Sequence, residues 1–202
     1  MHHTSRYAAA IAAAMLVTVA TQIFYITVVS GSEIDHILRP ATWYTELFAF
    51  SAIALAAFVL SGRHTVGPLA WAAIALGAIV NLIQVAIGIA VFPPAMEAME
   101  AVPQLFSAVL AGAFFFYFLG KILFGLAGLI LGLALAGASS GGMKIVGYVA
   151  ALSGVAAVVA NFTAMIIGRE GTEPAGAAGT LATALLAVVI LALRKGLAHN
   201  QS

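Results

Sequence analysis

The amino-acid sequence predicts an all-α, polytopic transmembrane bundle of six helices that forms a single domain over residues 1–202. Two observations predict this fold class. Hydrophobic residues make up 63% of the chain and charged residues only 7%, whereas soluble domains carry about 25% charged residues. The charged residues also fall mainly in short gaps between long apolar runs, so the excess apolar surface is concentrated in segments that lipid can solvate.

Six apolar runs predict the helices, at 7–30, 42–60, 68–92, 103–138, 144–168 and 175–193. The first run is long enough to span a bilayer, so we expect it to be retained rather than cleaved as a signal peptide. Pro40 separates the first gap from the second run. Pro68 suits the first turn of the third helix, because the missing proline N–H would have no partner there. Pro93 ends that run.

The fourth run is ambiguous because it is long for one crossing. At about 1.5 Å per residue it would form a helix of roughly 54 Å, against about 30 Å of hydrocarbon. It either tilts and protrudes or divides into two helices near Gly120 and Lys121. No polar linker surrounds that point, and a division would balance the basic residues between the two sides. Six helices are therefore favoured, with seven as the alternative.

Basic residues favour one side of the alternating gaps. The inner set is Arg6, Arg63, Lys144, Arg194 and Lys195, and the outer set is Arg39 and Arg169. Because cationic flanks resist translocation, this asymmetry predicts that both termini are cytoplasmic. The chain is then a multi-pass membrane protein, with membrane lipids as its first partners.

Four segments resemble a family of small bacterial six-pass membrane proteins, domain of unknown function 4386. They are the entry Arg6-Tyr7-Ala8, the Phe- and Leu-rich stretch Phe114–Phe124, the glycine-rich turn Gly137–Gly142, and Met143–Gly147 at the start of the fifth helix. The resemblance implies a six-helix fold in the bacterial cytoplasmic membrane. It implies no activity and no catalytic residues.

Small residues are dense in the fourth helix, where Gly125, Gly128 and Gly132 recur at close spacing. Such spacing lets two helix backbones approach closely in lipid. The sequence favours packing within this bundle. Homo-oligomerisation through the same face is the alternative.

Polar residues inside the runs are the candidate ligand or pocket positions. Counting from the run ends places six of them in the outer half of the bilayer: Gln22, Tyr25, Glu46, Gln84, Asn161 and Thr163. If the first five face one another, they form an outward-facing polar pocket with Glu46 as its carboxylate. The alternative is that they make interhelical hydrogen bonds, each worth about 1 kcal/mol or less.

Lys121 is the least ordinary residue of the chain, because a lysine at a helix centre costs about 2.5–3.5 kcal/mol on insertion. It either serves a function or snorkels to the interface. We expect it to point into the bundle, towards Asn81 and Gln84, which lie three apart on the third helix and share a face.

Several function classes lack support in the sequence. There is no cysteine, the net charge is only +1, and no basic cluster indicates nucleic-acid binding. Glu33, Asp35, His36, Glu97 and Glu100 match no zinc-site spacing and are interpreted as a solvated acidic rim. No intramembrane histidine could act as a base, so we expect no catalytic residues, no metal and no cofactor.

The sequence therefore favours a non-enzymatic accessory or partner-binding subunit. Its partners would be a larger membrane complex or further copies of the chain. The alternative is a carrier or channel for a small solute, with an outward-facing polar pocket. The acidic outer side favours a cation or an amine as that solute.

Overall fold

The structure is a computed structural model that describes residues 2–62 and 67–199. Arg63 and His64 lie outside the described residues, as do the side chains of Arg169, Glu170, Lys195 and His199. Seven α-helices follow in order: α1 His2–Thr27, α2 Asp35–Ser61, α3 Pro68–Ala86, α4 Phe92–Glu97, α5 Pro103–Ala138, α6 Gly141–Ile167 and α7 Thr172–His199. Within these residues no strand occurs.

Six helical segments are long and apolar enough to cross a membrane. One of them combines α3 and α4 through a π-helical turn, and α1, α2, α5, α6 and α7 supply the others. The predicted all-α bundle of six such helices is confirmed. Six crossings return the chain to the side on which it began. We call that side the terminal end and the opposite side the distal end; the cytoplasmic position of the terminal end stays a prediction.

The fourth apolar run is a single helix, because α5 continues from Pro103 to Ala138 without a break. Gly120 and Lys121 lie near its middle in regular α-helix. The seven-helix alternative is therefore wrong. Without polar or turn-forming residues, the backbone there meets its hydrogen-bonding needs most simply by remaining helical in lipid.

The second helix begins earlier than predicted, at Asp35 rather than after Pro40. Asp35 lies in the first turn, where the positive end of the helix dipole stabilises a carboxylate. Its carboxylate accepts a 2.6 Å hydrogen bond from Arg39, one turn later, and the two residues form a salt bridge. Pro40 follows close to the helix start, where its missing N–H removes one of the first backbone bonds and does not end the helix.

The third crossing also extends beyond its predicted end, through Pro93 and Pro94 into α4. A π-helical turn, Ile87–Val91, precedes the two prolines, and the N–H of Phe92 bonds to the carbonyl of Ile87. A wider turn of this kind relieves the clash that a proline ring makes with the preceding turn. The chain can therefore stay helical past the prolines.

Five helices form a closed ring in the order α1, α2, α3, α5, α7 and back to α1, each packed against the next. The sixth, α6, lies outside this ring against α5 and α7. Much of its remaining surface is apolar and exposed, as at Leu152, Phe162 and Ile166, so this surface can face lipid.

An apolar core fills the terminal half of the ring. Its large, fully buried side chains include Ile11 and Met15 of α1, Ile53 and Leu60 of α2, Trp71 and Ile74 of α3, Leu131 of α5, and Leu186 and Ile190 of α7. These residues lie between the middle of their helices and the terminal end.

Glycines bring α5 and α6 into backbone contact. A Cβ atom at Gly125 would stand 2.7 Å from the carbonyl oxygen of Gly154, and one at Gly132 would stand 2.7 Å from that of Gly147. Gly128 lies between them against the same helix. Since α6 covers this face, it is not free for the alternative of homo-oligomerisation.

Candidate functional site

Lys121 points into the ring and is only 4% exposed. Its aliphatic stem lies on α7, where a Cβ at Gly179 would stand 2.8 Å from its Cγ and Cδ. Its Nζ donates a 2.6 Å hydrogen bond to Gln22 Oε1 and lies 5.4 Å from the centre of the Tyr117 ring. The ammonium group is held inside the bundle, so Lys121 is not a snorkelling anchor.

Gln22 of α1 connects three helices. Its Oε1 accepts hydrogen bonds from Lys121 of α5 and, at 2.9 Å, from Thr180 Oγ1 of α7. Its Nε2 donates to the hydroxyl of Tyr117 on α5. A Cβ at Gly176 would lie 3.3 Å from that hydroxyl. Gly176 and Gly179 therefore give α7 the space in which both α5 side chains lie.

Glu46 joins this arrangement through the neighbouring residue of α1. Thr21 Oγ1 donates a 2.9 Å hydrogen bond to Glu46 Oε1. Glu46 and Lys121 form no salt bridge with each other, and the salt bridge found among the described residues is that of Arg39 with Asp35. We call the set Thr21, Gln22, Glu46, Tyr117, Lys121 and Thr180 the polar layer.

Aromatic pairs bound the polar layer on both sides. Towards the distal end, Tyr25 stacks on Trp43 with 6.3 Å between ring centres. Towards the terminal end, Phe50 stacks on Phe124 at 6.4 Å. The spacing explains both pairs, because each ring lies three or four residues from a polar-layer residue on its own helix and so shares its face.

The partners expected for Lys121 on α3 are corrected by the structure. Asn81 is buried, but its Nδ2 donates to the carbonyl of Gly77 on its own helix at 2.8 Å. It packs on Gly120, where a Cβ would stand 2.1 Å from that nitrogen. Gln84 is half-buried, and no hydrogen bond joins it to Lys121. Gly120 and Lys121 are adjacent on α5 and face different helices. Asn81 packs on the face that carries Gly120 and therefore does not reach Lys121.

The two candidates on α6 also lie apart from the polar layer. Asn161 is fully buried and its Nδ2 donates to the carbonyls of Ala157 and Ala175, at 2.8 and 3.1 Å. Its Oδ1 has no hydrogen-bond partner among the described residues. Thr163 is exposed. Their depth along α6 suggested that they join the polar layer, but α6 lies outside the ring and does not reach that layer.

Three polar-layer residues were missed in the sequence, namely Thr21, Tyr117 and Thr180. The spacing of Tyr117, four residues before Lys121, was a usable signal because it places both side chains on one helix face. Thr21 and Thr180 gave no such signal, since isolated threonines in apolar runs usually bond to their own helix. Tyr25, a candidate, lies at the distal boundary rather than within the layer.

A separate cavity of about 260 Å³ opens between α5 and α6 near the distal end. It is apolar, with Phe114, Phe115 and Phe118 on one side and Ala164 and Met165 on the other. None of the eight sequence candidates lines it. The expected convergence of Gln22, Glu46, Gln84 and Asn161 on one cavity is thus corrected to a hydrogen-bonded layer without Gln84 and Asn161.

The acidic residues of the distal end are largely solvent-accessible. Glu33, Glu97 and Glu100 are exposed, and Asp35 pairs with Arg39. In the described part of the chain, no three histidine, aspartate or glutamate residues come together as a metal site would need.

Comparisons of the chain with family models, curated proteins and solved structures give no match. The resemblance to domain of unknown function 4386 therefore stays a prediction. Function has to be argued from the polar layer itself.

Proposed function

We propose that this protein is a carrier for a small polar solute, with the polar layer as its binding site. The observation that carries the proposal is the burial of Lys121 inside the ring, hydrogen-bonded to Gln22. An ionisable residue at membrane depth that faces the bundle interior is a functional candidate by default.

Energetics favour a functional role for Lys121 over a structural one. Placing a lysine at a helix centre costs about 2.5–3.5 kcal/mol, whereas an interhelical hydrogen bond in a membrane protein returns about 0.6 kcal/mol on average. A methionine of similar length could fill the space over Gly179 without that cost. The fold therefore does not require the charge.

The distribution of polar and apolar residues supports access from the distal end. The apolar core and the Phe50–Phe124 pair close the terminal half of the ring. On the distal side, Glu46, Thr21 and Gln22 are only half-buried. With the distal end outside, as the charge rule predicts, this arrangement corresponds to an outward-facing carrier in the bacterial cytoplasmic membrane.

The accessory-subunit interpretation cannot use the glycine face of α5 as its binding surface. The glycine face of α5 is occupied by α6 of the same chain, so a partner would have to bind the lipid-facing surfaces. Apolar exposure there, as at Leu152 and Ile166, is also what lipid contact alone requires. The carrier is therefore the better-supported proposal.

The experiment is retention of solutes by the purified protein. Full-length protein in detergent is incubated with a bacterial small-molecule extract, and retained compounds are identified by mass spectrometry. Enriched compounds are then tested for uptake into proteoliposomes. We expect Lys121→Met to abolish both retention and uptake.

Lys144→Met is the matched control, because Lys144 is an exposed lysine at the start of α6. It should behave as the unmodified protein does. If unmodified protein and Lys121→Met retain the same compounds, or if neither retains any, the carrier proposal is wrong. Stoichiometric co-purification of another membrane protein would then favour an accessory subunit.

A further inference from the structure

The polar layer holds an acidic and a basic side chain that do not pair directly. Glu46 lies on α2 and Lys121 on α5, and no salt bridge joins them. Two neighbouring residues of α1 bind them instead: Thr21 bonds to the carboxylate and Gln22 to the ammonium. In their ionised forms these side chains present one negative and one positive group, each hydrogen-bonded to the same helix.

Both charged groups keep hydrogen-bonding capacity for a ligand. An ammonium group has three donors, of which the bond to Gln22 uses one. The Oε2 atom of Glu46 accepts no hydrogen bond from the described residues and is not among their buried, unpartnered atoms. A ligand could therefore bind each charge without breaking the bonds that hold it.

Aromatic rings distinguish the Glu46 side of the site. The Tyr25–Trp43 stack lies one turn towards the distal end from Thr21 and Glu46. Aromatic faces attract ammonium groups. A cationic group that approaches Glu46 from the distal end would pass these rings, whereas the Lys121 side offers the donors that a carboxylate needs.

From this arrangement we propose that the solute is a small zwitterion that carries an ammonium group and a carboxylate, with the ammonium at Glu46 and the carboxylate at Lys121. This inference rests on the carrier function and names its substrate class. A zwitterion adds no net charge to a site within the membrane. A simple cation would be repelled by Lys121 and a simple anion by Glu46, so each would satisfy only half of the site.

The test compares matched probes on purified full-length protein by isothermal titration calorimetry. Glycine, β-alanine, γ-aminobutyrate and trimethylglycine supply zwitterions with different charge separations and headgroups. Ethylammonium and choline supply the positive charge alone, and acetate and propionate the negative charge alone. We expect at least one zwitterion to bind about tenfold or more tightly than every single-charge probe.

Charge-removing variants test which residue binds the ammonium group of the zwitterion and which binds its carboxylate. Glu46→Gln should abolish the preference for zwitterions and retain weak binding of acetate, whereas Lys121→Met should retain weak binding of ethylammonium. Glu97→Gln and Lys144→Met change exposed residues of the same types and should leave binding unchanged.

The selectivity of the unmodified protein keeps the proposal falsifiable even if a variant fails to fold. Binding of a cation or an anion as tight as that of every zwitterion, or binding of no zwitterion, would overturn it. Uptake of such a single-charge solute in a Lys121-dependent manner would preserve the carrier function while refuting the zwitterion. Failure of solute retention altogether would refute both.

Discussion

Gln22 is the residue on which the polar layer depends most. Its single amide group bonds to Lys121, Thr180 and Tyr117, and so joins α1 to α5 and α7. In lipid the apolar surfaces of helices gain little from association, so such bonds and close packing hold the helices together. Loss of Gln22 would also leave the buried ammonium of Lys121 without its hydrogen-bond acceptor.

We predict that Gln22→Leu destabilises the protein by about 1–3 kcal/mol, because a buried charged donor loses its partner. Thermal unfolding in detergent, followed by circular dichroism, measures the change. Gln104→Leu is the control, since Gln104 is exposed near the start of α5. It should alter the unfolding midpoint little.

A double variant separates the hydrogen bonds from general packing. If the unpartnered charge causes the loss, Gln22→Leu should cost markedly less in a Lys121→Met background than in the unmodified protein. Equal losses in both backgrounds would contradict this explanation.

At the residue level, the sequence was informative about burial and uninformative about partners. A lysine amid phenylalanine and leucine suggested an interior position, and Lys121 is indeed inside. Its partner could not be deduced, because Asn81 and Gln22 lie on different helices and only the packing of the ring decides which of them faces Lys121. Helical periodicity gives a face within one helix and no rotation between helices.

At the level of elements, close backbone packing holds α6 against α5. Gly125 and Gly132 meet Gly154 and Gly147 across a backbone-to-backbone interface. Without a Cβ on either side, the helices approach closely enough for dispersion and weak Cα–H contacts to act along their length. This contact attaches α6 to the ring.

We predict that Gly132→Ala destabilises the protein by about 1–3 kcal/mol, because the new Cβ overlaps backbone atoms that cannot move independently. In the structure that Cβ would stand 2.7 Å from the nitrogen of Ala151. Unfolding midpoints in detergent test the expectation.

Gly112→Ala on the same helix is the matched control, since nothing lies within 4 Å of its Cβ position. It should be neutral or slightly stabilising, because alanine is the better helix former. Equal destabilisation by the two substitutions would argue against a specific role for the α5–α6 contact.

Helix boundaries were harder to predict than helix number. Six apolar runs sufficed for the number, because each must be long enough to cross the bilayer. The start of α2 was misplaced because a proline in the sequence does not reveal whether it stands before a helix or close to its start. The earlier start at Asp35 places Glu46 about three turns into α2 instead of about one turn.

In the molecule as a whole, α1 begins and α7 ends on the same side of the bundle, as six crossings require. Lys144 and Arg194 lie towards this side, whereas Glu97 and Glu100 lie on the other. The structure contains no membrane, so the orientation rests on the charge rule.

We predict that the terminal end is cytoplasmic. A reporter fused after Asn200 should show cytoplasmic activity, and one inserted within 171–174 should show periplasmic activity, because retained basic residues fix the orientation. Insertion of a basic residue pair into the 98–102 loop should weaken this preference. A periplasmic signal after Asn200 would refute the prediction.

The contact between α1 and α7 would allow the helices to follow one another along the chain in a different order. These first and last helices are neighbours in the ring, and the start of α1 and the end of α7 lie at the terminal end. A short linker could therefore join the ends, while a new opening between α2 and α3 would place the new termini on the same side as the old. Proteins with adjacent termini commonly tolerate such circular permutation. The bundle would keep every helix in its place and every crossing in its direction, although the chain would begin with α3 and end with α2.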